Sequence, residues 1–184
     1  MGGRKITSFE DCTAILVCHG KCALVGCGTE GSIHAILRNV MELGYSLRDV
    51  ELVVLPLPLR CLCDGCRTLR EFVPFIKVMV PKTFGYRIRM GEYLDERGTP
   101  CPPTIESDKY CSENICIELL AIDEKLCIVR ITIDGKSYAL CYAWLKGSES
   151  LQIQNLGNCT HLCIAEEPAC IDLAHKSFTR GDQL

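Results

Sequence analysis

Three apolar, β-prone runs at residues 115–122, 126–133 and 137–145 constrain the fold more than any other feature of the chain. They are separated by Asp123-Glu124-Lys125 and by Asp134-Gly135. Asp-Gly suits a two-residue hairpin turn, in which both central positions take positive φ. In the middle run Cys127, Val129, Ile131 and Ile133 alternate with Ile128, Arg130, Thr132 and Asp134. That period of two belongs to a strand with one buried face. The expectation is an antiparallel three-stranded meander.

The first half reads differently. Apolar runs at 13–18 and 22–26 flank His19-Gly20-Lys21 and predict a hairpin. Ile33, Ile36, Leu37, Val40 and Met41 recur at helical spacing, with Ser32 before them and Gly44 after them, which predicts a helix over 32–43. Residues 50–55, apolar but for Glu51, read as a strand closed by Pro56 and Pro58. Residues 67–72 suit a short helix, and 75–80 and 84–90 a strand pair joined at Pro81-Lys82. Residues 95–114 are polar, contain Pro100, Pro102 and Pro103, and read as a loop. The fold class expected is α+β, mostly antiparallel β with one main helix. It comprises an N-terminal hairpin/helix/strand portion (1–94) with a cysteine-rich turn and a C-terminal meander with a Cys/His tail (115–184). Loop 95–114 would join them in one compact domain.

At 48% hydrophobic and 23% charged, the chain can build a core, which excludes wholesale disorder. No apolar run approaches the roughly 18 residues that span a bilayer. No apolar signal core follows Met1-Gly2-Gly3-Arg4-Lys5, so the reading is cytoplasmic or nuclear, not secreted. The 15 cysteines are odd in number, so they cannot all pair within one chain. In a reducing compartment cysteines serve as buried apolar residues, metal ligands or redox centres. Charge is uneven: residues 1–92 carry 12 Lys and Arg against 9 Asp and Glu, and the rest carry 8 against 14.

Two clusters have the donor types of zinc, which prefers tetrahedral sulfur and imidazole ligands. Cys61, Cys63 and Cys66 lie in one turn, with Cys101, Cys111 or Cys116 as a fourth ligand. Cys159, His161, Cys163, Cys170 and His175 lie within seventeen positions; in an extended segment Cys159, His161 and Cys163 share a side. A third group is Cys12, Cys18, His19, Cys22 and Cys27, in which Cys18 and Cys22 face each other across the first hairpin turn and could share a metal with His19. For each cluster the competing reading is a set of small buried side chains. Cys63 and Cys66 also follow a strand and precede a helix, an order that resembles thioredoxin-type sites. The resemblance implies Cys63 as a nucleophile with a depressed pKa.

Gly26-x-Gly28-x-x-Gly31 stands between a strand and a helix, as in dinucleotide-binding turns. No acidic ribose partner follows the second strand, and the rest of the chain reads as antiparallel β. Finally, segment 60–89 carries Arg60, Arg67, Arg70, Arg87 and Arg89 interleaved with Phe72, Phe75, Phe84 and Tyr86, a combination that neutralises phosphates and stacks bases. Extended, it would place Arg87 and Arg89 on one face.

The function expected from these features is an intracellular regulatory or protein-interaction factor stabilised by zinc, of a type that viruses encode to engage a host. The alternatives are a thiol–disulfide or cysteine-dependent enzyme using Cys63 and Cys66, and an RNA-binding module using 60–89. The expected partner is a protein, with RNA second and no membrane span. The sequence leaves the oligomeric state open.

Overall fold

A computed structural model describes residues 5–8, 13–18, 20–113, 115–144, 161–164 and 169–172. The protein is α+β, with two mixed sheets and few helices. The first sheet has the order β1 (Lys5–Ser8), β2 (Ala14–Cys18), β3 (Lys21–Val25), β4 (Val50–Val54), β5 (Lys77–Val80), β6 (Ile105–Glu106). Its first two pairings are antiparallel and its last three parallel. The second sheet runs, from one edge to the other, β12 (Ala169–Asp172), β11 (His161–Ile164), β10 (Lys136–Ala143), β9 (Leu126–Ile133), β8 (Ile115–Ala121), β7 (Lys109–Cys111). Among the described residues of this sheet only β10 and β11 pair in parallel.

The hairpin, the helix and the meander stand where the sequence places them. Helix α1 (Ile33–Glu42) buries Ile33, Ile36, Leu37 and Val40, the residues of its apolar stripe. Gly44 ends it at φ +88°, where a side chain would be strained. Asp134 and Gly135 both take positive φ at the β9–β10 turn. Strand β9 buries Cys127, Val129, Ile131 and Ile133, and β8 buries Ile117 and Leu119. Glu118 and Arg130, between them, pair with each other on the outer face. Strands β3, β4 and β5 are buried at almost every apolar position, as expected of parallel strands covered on both faces. One apolar cluster joins the first sheet to the second.

Three expectations are corrected. Segment 84–90 is not a strand: after a turn at Lys82–Phe84 it forms helix α4 (Gly85–Met90). Phe84 and Ile88, four apart, are buried, whereas Tyr86 and Met90 are exposed. Alternating Arg and apolar residues over so short a stretch satisfy both periods, and Gly91 at φ +67° closes the helix. Segment 95–114 is also more than a loop: β6 completes the edge of the first sheet, and β7 that of the second. Thr104 fixes its start, its hydroxyl accepting from Val78 N at 2.7 Å. Lastly, β5 and β6 continue the parallel order set by β3 and β4, where the sequence reads as antiparallel.

Candidate active-site edge

In an open α/β sheet, ligands gather outside the carboxyl ends of the parallel strands. Here that edge is made by residues 26–32 after β3, 55–60 after β4, 81–84 after β5, and the segment 91–104 laid across them.

The glycine turn comes first. Gly26 and Gly28 take φ of +79° and +65°. Gly26 N donates to Val54 O at 2.7 Å and Cys27 N to Leu62 O at 2.9 Å. These two amides are taken up within the fold and are not offered to a phosphate. The Cys27 thiol lies 3.0 Å from the same Leu62 carbonyl and donates to it. Gly65 N reaches back to Gly28 O at 2.9 Å. A Cβ at Gly65 would stand 2.2 Å from Cys27 O, so the two segments touch backbone to backbone only because position 65 is glycine.

After β4 the chain reads Leu55-Pro56-Leu57-Pro58-Leu59, and Leu55, Leu57, Leu59 and Leu62 are essentially fully buried. Helix α2 (Arg60–Cys63) is a single turn, followed by α3 (Cys66–Phe72). Asp64, between them, is only 5% exposed. Its carboxylate accepts from Arg60 Nε and from Thr99 N, each at 2.7 Å. Arg60 is also paired with Glu96, and its backbone N–H donates to Asp95. Asp64 first, then Glu96, holds the Arg60 guanidinium in its charged form. Tyr93 donates to Thr99 O, and Leu94 N to Pro58 O at 2.7 Å. Cys66 is disulfide-bonded to Cys101.

These contacts decide the fate of the first cysteine cluster. Cys66 is committed to Cys101 and supplies no thiolate. Cys63 is fully buried at the carboxyl end of α2, its thiol 3.4 Å from Leu57 O. Burial pushes its pKa up, followed by the effect of Cys27 nearby. The depressed nucleophile expected of Cys63 is therefore corrected: the helix that follows begins at Cys66, so no helix N-terminus acts on Cys63. Cys61 is half-buried. Cys27 is raised in the same way, chiefly by burial. Cys111 pairs with Cys116 across β7 and β8. Cys127 and Cys141 are core residues of the meander, and Cys22 is buried in β3, with its pKa pushed up to about 12 mainly by burial. Among the described residues no three His, Cys, Asp or Glu side chains gather as a metal site.

The arginines do not form a nucleic-acid face. Arg60 is held as above, Arg70 donates to Pro102 O at 2.6 Å, and Arg89 pairs with Glu106. Arg67 is exposed on α3. Arg87 and Arg89 lie on a helix, where two positions apart means opposite sides.

In the second cluster, His161 and Cys163 lie in β11 and Cys170 in β12. The antiparallel register sets Cys163 opposite Cys170 and His161 opposite Asp172. Cys159, His175 and His19 lie outside the described residues. Sequence reasoning missed Asp64, Thr99, Glu96 and Tyr93, which organise the strand-end edge. The signal available was a single carboxylate, Asp64, amid the arginines of 60–70.

No family model and no curated protein matches the chain. Solved structures do. The class B3 di-zinc metallo-β-lactamase LRA-12, from an Alaskan soil metagenome, superposes with a TM-score of 0.67 at 11% identity, covering 89% of this chain and 75% of its own. The Cronobacter sakazakii metallo-β-lactamase gives 0.62 at 14%, covering 83% and 70%. The Legionella gormanii FEZ-1 enzyme gives 0.60 at 12%, covering 76% and 60%. The fold is that of the metallo-β-lactamases. This likeness overturns the expected regulatory, virus-type or RNA-binding protein and the thiol–disulfide alternative, because the neighbours are hydrolytic enzymes. Zinc, the cofactor expected from the sequence, is the metal of the LRA-12 enzyme. No helix among the described residues is long and apolar enough to cross a membrane.

Proposed function

We propose that this chain is a zinc-dependent hydrolase built on the metallo-β-lactamase fold, with its metal held on the β11–β12 hairpin by His161, Cys163 and Cys170. The observation that carries the reading is the register of that hairpin, Cys163 opposite Cys170 with His161 two positions along β11. Opposed residues of an antiparallel pair lie about 4.5–5.5 Å apart at Cα, and positions two apart belong to one face of the ladder. Two cysteines and one histidine make a three-ligand set of the kind that leaves zinc a fourth position for water. Bound there, zinc would polarise a carbonyl and bring the pKa of its water to about 7. The strand-end edge offers no equivalent set: Cys66 is bonded to Cys101, and Cys27 and Cys63 are buried against backbone carbonyls, which leaves Cys61 alone.

The test is hydrolysis by the zinc-loaded chain, read with a chromogenic β-lactam and with thioester and phosphodiester substrates. Turnover of one of them should vanish with a chelator, return with zinc, and be absent in His161→Ala of unchanged circular dichroism. No turnover across the panel, or turnover that survives His161→Ala, overturns the proposal.

A further inference from the structure

We infer that the carboxyl ends of β3, β4 and β5, where a sheet of this kind ordinarily holds its ligand, form in this chain a clamped apolar plug that admits neither metal nor substrate. The inference stands independently of where zinc binds.

Three observations carry it. First, the loop leaving β4 is filled by leucines: Leu55, Leu57, Leu59 and Leu62 are essentially without exposure. Second, the thiols of Cys27 and Cys63 face carbonyl oxygens of this segment, Leu62 O at 3.0 Å and Leu57 O at 3.4 Å. A thiol in that place is a donor and keeps its proton. To ligate a metal it would have to become a thiolate pressed against a carbonyl in a dry site. Burial raises both thiol pKa values in accord with this. Third, segment 91–104 is tied down over the edge at several points. Asp64 accepts from Thr99 N, Leu94 N donates to Pro58 O, and Cys101 is bonded to Cys66. The buried Asp64 carboxylate is paired with Arg60.

Two cavities lined by described residues lie away from this edge. A cavity of about 480 Å³ is lined by Val50, Phe72, Val73, Phe75 and Lys77, and one of about 310 Å³ by Lys21, Cys22, Glu51 and Tyr110. Both border the starts of β3, β4 or β5, not their carboxyl ends.

The test combines native-state thiol labelling with zinc analysis on the full chain. Iodoacetamide, followed by mass-spectrometric mapping, should modify half-exposed Cys61 readily. It should modify Cys27 and Cys63 at least about 100-fold more slowly, until denaturant is added. Added zinc should not alter these rates, and Cys61→Ser should hold as much zinc as the unaltered chain. Labelling of Cys27 or Cys63 as fast as Cys61, protection of any of the three by zinc, or loss of zinc in Cys61→Ser would overturn the inference. An unaltered chain free of zinc, with Cys27 and Cys63 still slow, supports the plug while sinking the zinc-hydrolase reading.

Discussion

Replacing both Cys66 and Cys101 by alanine removes the covalent clamp on the strand-end edge. The bond closes a span of 35 residues. Loop-closure entropy of about 2.1 + 1.5R ln n then gives roughly 13 cal/mol/K, or about 4 kcal/mol at 25 °C, lost from stability when the unfolded chain is set free. For a chain of this length that corresponds to a fall in Tm of roughly 8–16 °C. The control is built in. Cys111 and Cys116 are separated by 5 residues, and the same relation gives only about 2 kcal/mol for their double alanine variant. Urea unfolding followed by circular dichroism under non-reducing conditions measures both. With dithiothreitol present, the unaltered chain should unfold no later than the Cys66/Cys101 variant. A loss below about 1 kcal/mol for that variant, or a larger loss for Cys111/Cys116, would refute the claim that the clamp holds segment 91–104 in place.

Leu62→Ala should cost about 2–5 kcal/mol, because it opens a cavity inside the plug, whereas Phe75→Ser, at a position 96% exposed, should stay within about 0.5 kcal/mol; urea midpoints check both. Glu118 accepts from Lys109 at 2.8 Å and from Arg130 at 3.3 Å, and its pKa is lowered, mostly by the Lys109 hydrogen bond. A carboxylate whose folded pKa is depressed adds stability above its unfolded pKa of about 4.3 and loses it as pH falls through the folded value. Glu118→Gln should therefore reduce stability at pH 7 and flatten its decline on the acid side; an acid limb as steep as that of the unaltered chain would contradict the assignment.

The fold was legible where one physical signal dominates. Alternation at 127–133, the Asp134-Gly135 turn and the α1 stripe each point to a single local structure. Residues 84–90 were not legible, because Arg87-Ile88-Arg89 fits a strand's alternation while Phe84 and Ile88 fit a helix. What decides is the glycine at 91 and the space beneath Ile88, and the second is a tertiary fact. Parallel pairing of β5 and β6 was hidden for a similar reason: β6 has two residues and lies in a proline-rich segment, too short to carry a pattern. The strand-end edge was half legible. Its residues stood out as a cysteine-rich turn, but spacing alone could not show that Cys66 meets Cys101, or that Cys63 faces the Leu57 carbonyl. Cysteine chemistry depends on burial and partners, and neither is written in the interval between two residues.

The most direct test of the account is zinc per chain, measured by elemental analysis on the purified protein and on a Cys163→Ser, Cys170→Ser variant. The account predicts about one zinc per chain in the first, the number a single three-ligand site holds, and close to none in the second. Zinc absent from the unaltered chain, or unchanged in the variant, would contradict it.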